Sequence, residues 1–177
     1  GSRSGTASAG SSGPGLGGLG SVPGGSTPAP ASLCGIVGLK PTYGRVSRAG
    51  VVTLIWSQDH VGPLTYTVED NEYMLQDIAG HDPKDPTSSR SIVPDYSLSL
   101  REDIKGKVLG LPRHYFFDGD PGVTAEVDAG VETAIADPGS RGAKIEEIEL
   151  PSLEYVRAPN TIIIVCEPYT FHTPTPK

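Results

Sequence analysis

Cysteine, methionine and aromatic residues are scarce in this chain of 177 residues, which has two cysteines, one methionine, one tryptophan and three phenylalanines. Two cysteines cannot build a framework of disulfide bridges, so the small secreted scaffolds that depend on such bridges are excluded and a reducing compartment is favoured. Cys34 lies in an apolar stretch. We therefore predict that it packs as a small hydrophobic side chain and is not a reactive thiol.

Long apolar runs and clusters of positive charge are also missing. The longest apolar run covers residues 162–166, far short of the roughly 20 residues that cross a bilayer, and no leader peptide is recognisable. Fourteen Lys and Arg residues against 21 Asp and Glu residues give a formal net charge of −7. This balance argues against binding to nucleic acid or to an anionic membrane. We expect a cytoplasmic protein with neither partner.

Glycine and proline are abundant instead, at 23 and 17 residues. Residues 1–25 contain ten glycines and six serines, a composition typical of a flexible linker. Gly24, Gly25 and Ser26 close this stretch. A serine directly behind two glycines can lie on a turn where its hydroxyl is exposed and neighbouring N–H groups converge, as a nucleophile for acyl transfer requires.

A long motif follows this serine. Residues 30–47 read Pro-Ala-Ser-Leu-Cys-Gly-Ile-Val-Gly-Leu-Lys-Pro-Thr-Tyr-Gly-Arg-Val-Ser. With the diglycine and Ser26, the run closely resembles the amidase signature family, serine hydrolases that cleave carboxamides through a Ser, cis-Ser, Lys triad. The likeness continues in order through residues 56–63, 67–70 and 78–87, and we take it to cover residues 1 to about 150.

The resemblance implies an α/β fold with a mixed β-sheet flanked by α-helices. Because members of the family are much longer, the chain is interpreted as a partial amidase signature domain. Its expected parts are a Gly/Ser-rich active-site loop region (1–25), a signature core (26–90) and a strand-helix-strand extension (91–177).

The resemblance also implies roles for individual residues. Ser26 is the expected nucleophile, and the family interval of 24 residues places the second, proton-relaying serine at Ser2, with Ser4 as the neighbour to test beside it. The backbone N–H groups of Gly24, Gly25 and Ser26 form the expected oxyanion hole. No cofactor or metal is implied, the substrate is a small-molecule amide, and a homo-oligomer is compatible with the pattern.

Two departures from the family affect activity. The base lysine lies upstream of the second serine in the family and has no counterpart here, because Lys40 belongs to the downstream motif and is assigned a structural role. Pro23 has no N–H to offer an oxyanion. Val22 and Pro28 also replace the residues usual in the family, which is consistent with a degenerate homologue or an inaccurate sequence near the N-terminus. We expect the isolated chain to be inactive or nearly so.

Three alternatives remain beside a free-standing amidase. The first is an amidotransferase subunit of the same family, which liberates ammonia from glutamine in a complex that amidates a mischarged tRNA; residues 56–60 look modestly more like the free-standing enzymes. The second is a non-catalytic piece that keeps the fold without the chemistry. The third, a Ser, His, Asp arrangement of Ser26 with His60 and Asp59, is disfavoured because the surrounding residues match the other family.

Local patterns predict two regions of helix. Thr67 is suited to cap a helix that Gly80 ends, with Asp70 as the acidic partner of the cap, and its apolar stripe is Val68, Leu75 and Ile78 with Tyr73 or Met74. By contrast, the alanine-rich helix that the family has after its glycine-serine loop should be weakened or lost. An interior glycine costs about 1 kcal/mol against alanine and a proline about 3, and this chain has several of them between residues 10 and 18.

The last third of the chain predicts a strand-helix-strand unit. Its expected elements are a strand over 105–111, a helix over 123–136 that Pro138 and Gly139 end, and a strand over 143–148. This order is expected of a parallel sheet with a helix packed on it. Four of the five residues 162–166 are β-branched, which favours a strand, but the corresponding family region looks helical and we predict a helix.

Overall fold

The computed structural model describes residues 4–13, 17–117, 123–151 and 155–173. It divides into two compact units, Gly1–Arg101 with Ala158–Lys177, and Glu102–Arg157. The first contains α1 (Ser4–Ser11), β1 (Gly17–Ser21), α2 (Pro28–Cys34), β2 (Val37–Gly38), β3 (Val61–Thr65), α3 (Val68–Ile78), a 3₁₀ helix (Tyr96–Arg101) and almost all of α6 (Arg157–His172); the second contains β4 (Val108–Leu111), α4 (Arg113–Phe116), α5 (Ala125–Ser140) and β5 (Lys144–Glu147). The α/β prediction is confirmed.

The sheet of the first unit is antiparallel, in the order β1-β3-β2. Leu19 lies opposite Pro63, and Val37 lies opposite Thr65. Every residue of β3 is buried, as expected for a strand paired on both sides and covered by helices. Burial on both faces explains why β3 does not alternate between apolar and polar residues.

Helix α3 begins where its cap predicts. The Thr67 hydroxyl accepts a hydrogen bond from the Asp70 amide and donates one to the Asp70 carboxylate. Within the apolar stripe, Leu75 is buried and Ile78 half-buried, but Val68 and Tyr73 are largely exposed. The inner face of α3 is completed by two polar residues that the stripe omits, Asn71 and Glu72. Asn71 is buried because its side-chain amide donates to the Pro63 carbonyl and the Thr65 hydroxyl of β3.

A small apolar core joins α3 to the sheet. Val46, Val61 and Leu75 are buried in contact with one another. Leu39, Val51, Ile78 and Tyr96 pack around them. This core brings the loop after β2, strand β3 and helix α3 together, so it supports the segment that carries the signature.

The N-terminal helix, which we predicted to be weakened or lost, is present but short. Helix α1 forms over Ser4–Ser11 with Ala7 and Gly10 buried. Its packing against α2, β1 and β3 compensates for its low helix propensity. The helix ends before Gly13, which has a positive φ of 84°. The glycines therefore shorten this helix instead of abolishing it.

The second unit confirms the predicted strand-helix-strand arrangement. Strands β4 and β5 pair in parallel, with Leu109 opposite Ile145, and α5 connects them. The expected stop at Pro138 is wrong, because α5 continues through Pro138 to Ser140. A proline in the last turn removes a single backbone hydrogen bond, and Gly142, with a φ of 88°, follows as the turn out of the helix.

Arg113 links α4 to α5 and β5 within the second unit. Its guanidinium pairs with Glu132 of α5 at 2.5 Å and with Glu147 of β5 at 3.2 Å. The hydrogen bond from Arg113 lowers the pKa of Glu132 below its ordinary value. Among the residues described, none of the helices has the length and apolar character needed to traverse a lipid bilayer.

Candidate active site

The bend before α2 is held at its base by the neighbouring strand. The Val22 amide donates to the His60 carbonyl at 2.8 Å, and the His60 amide donates to the Val22 carbonyl at 3.3 Å. The chain then leaves the sheet through Pro23 and Gly24, and Gly25 has a φ of 117°. Glycine accepts this conformation without strain, which gives the diglycine a clear structural role.

Ser26 lies at the end of this bend. It is half-buried and stands one residue before Thr27, the N-cap of α2. The Ala29 amide donates to the Gly25 carbonyl at 3.0 Å, so the bend is continuous with the first turn of the helix. Pro28 is the first helical residue, a position where the missing N–H has no partner to lose. This departure from the family pattern therefore suits the helix.

The backbone amides of Gly24, Gly25 and Ser26 are consecutive along the bend. Within the described residues, no carbonyl accepts from the N–H groups of Gly24, Gly25 or Ser26. Pro23 contributes none. Three consecutive amides of the bend therefore have no backbone acceptor among the described residues, which is what the predicted oxyanion hole requires.

Helix α2 is packed closely against β2. A β-carbon built on Gly38 would lie 2.6 Å from the β-carbon of Ala31 and 2.9 Å from the Thr27 carbonyl oxygen. Thr27 is fully buried. Since only a glycine fits at this crossing, Gly38 sets the distance between the sheet and the helix that begins behind Ser26.

Helix α6 lies beside the bend. The δ-carbon of Ile164 is 3.5 Å from the position that a β-carbon on Gly24 would occupy. Glu167 accepts hydrogen bonds from the Ser57 hydroxyl at 2.5 Å and from the Ser57 amide at 3.1 Å. Further along, the His172 imidazole is 2.8 Å from the Thr53 carbonyl. The prediction of a helix over 162–166 is confirmed.

Asp59 and His60 do not form a catalytic pair with Ser26. The Asp59 carboxylate is buried and accepts from the Leu54 and Ile55 amides at 2.8 and 3.0 Å. The His60 ring is 2.6 Å from the Gln58 carbonyl through Nδ1 and 3.2 Å from the Lys40 ammonium through Nε2. Nδ1 is therefore assigned the proton, because the carbonyl accepts and the ammonium donates.

Lys40 is exposed and its ammonium is hydrogen-bonded. A general-base lysine needs burial that removes its charge, so the location of Lys40 supports the structural role predicted for it. Cys34, which we expected to be buried, is half-buried at the end of α2. Ser2 lies outside the described residues, and Ser4 begins α1.

Polar residues of the signature segment build a scaffold around the loop after β2. The Asp85 carboxylate accepts from the Thr87 hydroxyl and amide at 2.6 and 2.9 Å and from the Arg48 amide at 2.8 Å. Burial alone would raise the pKa of Asp85, but these hydrogen bonds outweigh it and lower the pKa. Arg48 also donates to the Trp56 carbonyl. These contacts fix the loop that carries Ser57.

The described ranges contain no group of three or more His, Cys, Asp or Glu side chains arranged to hold a metal ion.

A sequence model of the Amidase family matches residues 1–172. The chain belongs to the amidase family. Relatives of this amidase chain include the A-type subunit of glutamyl-tRNA(Gln) amidotransferase from Pelobacter propionicus, 51% identical over 150 residues, which cover 84% of the chain and 30% of the relative. The corresponding protein from Akkermansia muciniphila is 46% identical over 168 residues, covering 94% and 35%. The amidase chain thus spans about a third of the length of these relatives.

Solved structures agree with the family. The crystal structure of the same glutamyl-tRNA(Gln) amidotransferase component from Thermotoga maritima matches with a TM-score of 0.89 and 35% identity, covering 97% of the amidase chain and 37% of that protein. Native peptide amidase from Stenotrophomonas maltophilia matches with a TM-score of 0.82 and 31% identity, covering 96% and 35%. The fold is therefore that of the amidase signature enzymes.

Proposed function

We propose that the protein to which this chain belongs hydrolyses a carboxamide through an acyl-enzyme formed on Ser26. The observation that carries the proposal is the bend at Gly24 and Gly25, which ends in a half-buried serine directly before α2. Membership of the amidase family supports it. The serine, the neighbouring amides and the helix behind it form one continuous segment, which the backbone hydrogen bonds between Val22 and His60 hold to the sheet.

In the proposed reaction, the Ser26 oxygen bonds to the carbonyl carbon and the amide nitrogen leaves as ammonia. The proton of the Ser26 hydroxyl passes to Ser2 and then to a lysine supplied from outside these 177 residues. The lysine returns a proton to the leaving nitrogen by the same route. Water then attacks the acyl carbon and releases the carboxylic acid.

The developing negative charge on the carbonyl oxygen is stabilised by backbone donors. Gly24, Gly25 and Ser26 supply the candidate N–H groups, and Gly24 lies beside Ile164 of α6. Removing one donor from such a site typically lowers the rate about 100- to 1000-fold. Pro23 therefore limits the site to the donors that follow it.

For the substrate, we propose glutamine in an amidotransferase. Two amidotransferase subunits match this chain at 46% and 51% sequence identity. Among solved structures, the amidotransferase subunit matches at 35% identity and a TM-score of 0.89, and the peptide amidase at 31% and 0.82. A glutaminase in such a complex works with partner subunits, so the partners are part of the proposal. A free-standing amidase acting on another small amide is the second candidate, supported by the close fit to peptide amidase.

Labelling with a fluorophosphonate tests the nucleophile, because only an activated serine hydroxyl reacts. We expect weak or absent labelling of the 177-residue chain and strong labelling when the upstream segment carrying a lysine is joined to it. Ser26→Ala should abolish the label. Ser32→Ala is the matched control, since Ser32 is an exposed serine of α2 whose hydroxyl donates to the Ala29 carbonyl.

Strong labelling of the chain alone would contradict the expected need for the upstream lysine. Labelling that survives Ser26→Ala would remove Ser26 as the nucleophile. If the extended protein stays unlabelled while it remains folded, the non-catalytic interpretation is correct.

Ammonia release from glutamine, measured with and without amidotransferase partner subunits, tests the substrate. We expect glutamine hydrolysis by the extended protein that increases when the partners are added. Equal or greater turnover of a C-terminal peptide amide without partners would favour the free-standing amidase.

A further inference from the structure

Glu72 is a buried carboxylate that the proposed hydrolysis does not use. It is 7% exposed, on the inner face of α3. Within the described part of the chain, its Oε2 atom is buried and has no hydrogen-bond partner. Burying a charged oxygen without a hydrogen-bond partner costs folding free energy. A donor from outside the described residues would remove that cost.

Glu72 lines two adjoining cavities between α3 and the 3₁₀ helix. One has a volume of about 450 Å³ and is also lined by Glu69, Tyr73 and Arg101. The other has a volume of about 240 Å³ and a mainly apolar wall that includes Leu39 and Leu75. Val68, Glu72 and Leu100 line both cavities, so the carboxylate stands where a charged compartment meets an apolar one.

The charged compartment is negative near Glu72. Glu69 accepts a hydrogen bond from the Tyr73 hydroxyl at 3.3 Å, so it already has a donor. The negative charge of Glu69, followed by this hydrogen bond, raises the pKa of Tyr73. Arg101 is the cationic side chain of this compartment, but among the described residues no ion pair joins it to Glu72.

We propose that this pair of cavities binds an organic cation, with its ammonium or guanidinium group on Glu72 and its hydrocarbon body against the apolar wall. The charge-assisted hydrogen bond would satisfy the buried oxygen, and the apolar wall would bury the body. The same chemistry is carried by a free amine or by the side chain of a lysine in a polypeptide. Ser26 is not among the residues that line either cavity.

Calorimetric titration of the 177-residue chain tests the proposal with matched ligands. 2-Phenylethylammonium should bind saturably, and 2-phenylethanol, which has the same body without the charge, should bind at least about tenfold more weakly. Nα-Acetyl-lysine methylamide tests the polypeptide source. Binding of the amine but not of the blocked lysine identifies a small-molecule site, and binding of the blocked lysine identifies a docking point for a basic side chain.

The variant Glu72→Gln should weaken binding of the amine by about tenfold or more, while Asp77→Asn should leave it within about twofold. Asp77 is the matched control because it is an exposed carboxylate on the same helix. In the absence of ligand, Glu72→Gln should not lower the thermal midpoint, since it removes an unpaired buried charge.

The main alternative explanation is an internal ion pair, in which the Arg101 side chain rotates to neutralise Glu72. If that pair forms, Arg101→Gln lowers stability and the amine does not bind the unsubstituted chain. If the cavities bind an organic cation instead, Arg101→Gln strengthens amine binding because it removes a competing cation. Absence of saturable binding, equal binding of the amine and the alcohol, or unchanged binding in Glu72→Gln would each overturn the proposal, and the ligand comparison requires no variant to fold.

Discussion

Replacement of Asp85 by asparagine should destabilise the first unit markedly, because the Asp85 carboxylate is buried and accepts hydrogen bonds from two separate segments of the chain. One oxygen accepts from the Thr87 hydroxyl and amide, and the other accepts from the Arg48 amide at 2.8 Å. The Arg48 guanidinium is 3.7 Å from the same oxygen, and the side chains of Arg48 and Asp85 are 15% and 5% exposed. Asparagine keeps an oxygen for Thr87 but presents an NH₂ group to Arg48.

The expected loss in unfolding free energy comes mainly from the contacts with Arg48, which asparagine cannot make. A hydrogen bond to a charged group contributes about 1.5–3 kcal/mol, and an unsatisfied buried donor adds to the loss. Weakening the bonds to Thr87 costs a further fraction of a kcal/mol, since a neutral acceptor is weaker than a charged one. We expect Asp85→Asn to lower the free energy of unfolding by about 2–4 kcal/mol at neutral pH.

Asp95→Asn is the matched control. The Asp95 carboxylate accepts from the Ser97 amide at 3.0 Å and the Ser97 hydroxyl at 2.6 Å, the same local pattern that Asp85 makes with Thr87. Asp95 is exposed, so its substitution should cost less than about 1 kcal/mol. The difference between the two variants then measures the contacts with Arg48.

Urea unfolding followed by the fluorescence of Trp56, the single tryptophan, provides the assay for the first unit. The pKa of Asp85 is lowered in the folded state, so its stabilisation is fully present above the unfolded pKa of about 3.9 and is lost as the pH falls through the lower folded value. The difference between the native chain and Asp85→Asn should therefore shrink below about pH 4. A difference no larger than that of Asp95→Asn, or one unchanged at low pH, would refute the reasoning.

Three further predictions concern packing. Gly38→Ala should cost about 1–3 kcal/mol in the same urea assay, because the new methyl overlaps Ala31; a neutral result would show that α2 can shift. Gly130→Ala, in the middle of α5 with open space around it, should instead raise the unfolding free energy by about 0.5–1 kcal/mol, measured by circular dichroism. Glu167→Gln should accelerate hydrogen exchange in α6, and if the contact with Ser57 is the cause, adding Ser57→Ala should bring no further acceleration.

Local chemistry alone predicted much of this fold. Thr67 and Asp70 are three residues apart, so their mutual hydrogen bonds form within one helical turn and could be identified from spacing. The strand-helix-strand unit follows from hydrophobic periodicity within continuous segments. Ser26 as a candidate nucleophile follows from the adjoining diglycine and the motif after it, and its catalytic role stays a prediction.

Two helices show where propensity alone sets the boundary imperfectly. Helix α1 persists despite its glycines because it is packed against the first unit, and α5 passes Pro138 because only the last turn is affected. Glycine in α1 and proline in α5 are destabilising, but packing retains α1, and the location of Pro138 in the last turn limits its effect on α5. Helix boundaries are sensitive to such differences of about 1 kcal/mol.

The family, the order of most elements and the position of the diglycine bend could all be inferred from the amino-acid sequence, because each depends on residues that are neighbours in the chain. The packed fold was needed to show that Glu167 binds Ser57, 110 positions away, and that Glu72 is buried on α3 while Tyr73 beside it is exposed. Burial and long-range pairing depend on which segments meet in space, and a polar residue has the same local pattern whether it faces solvent or the interior.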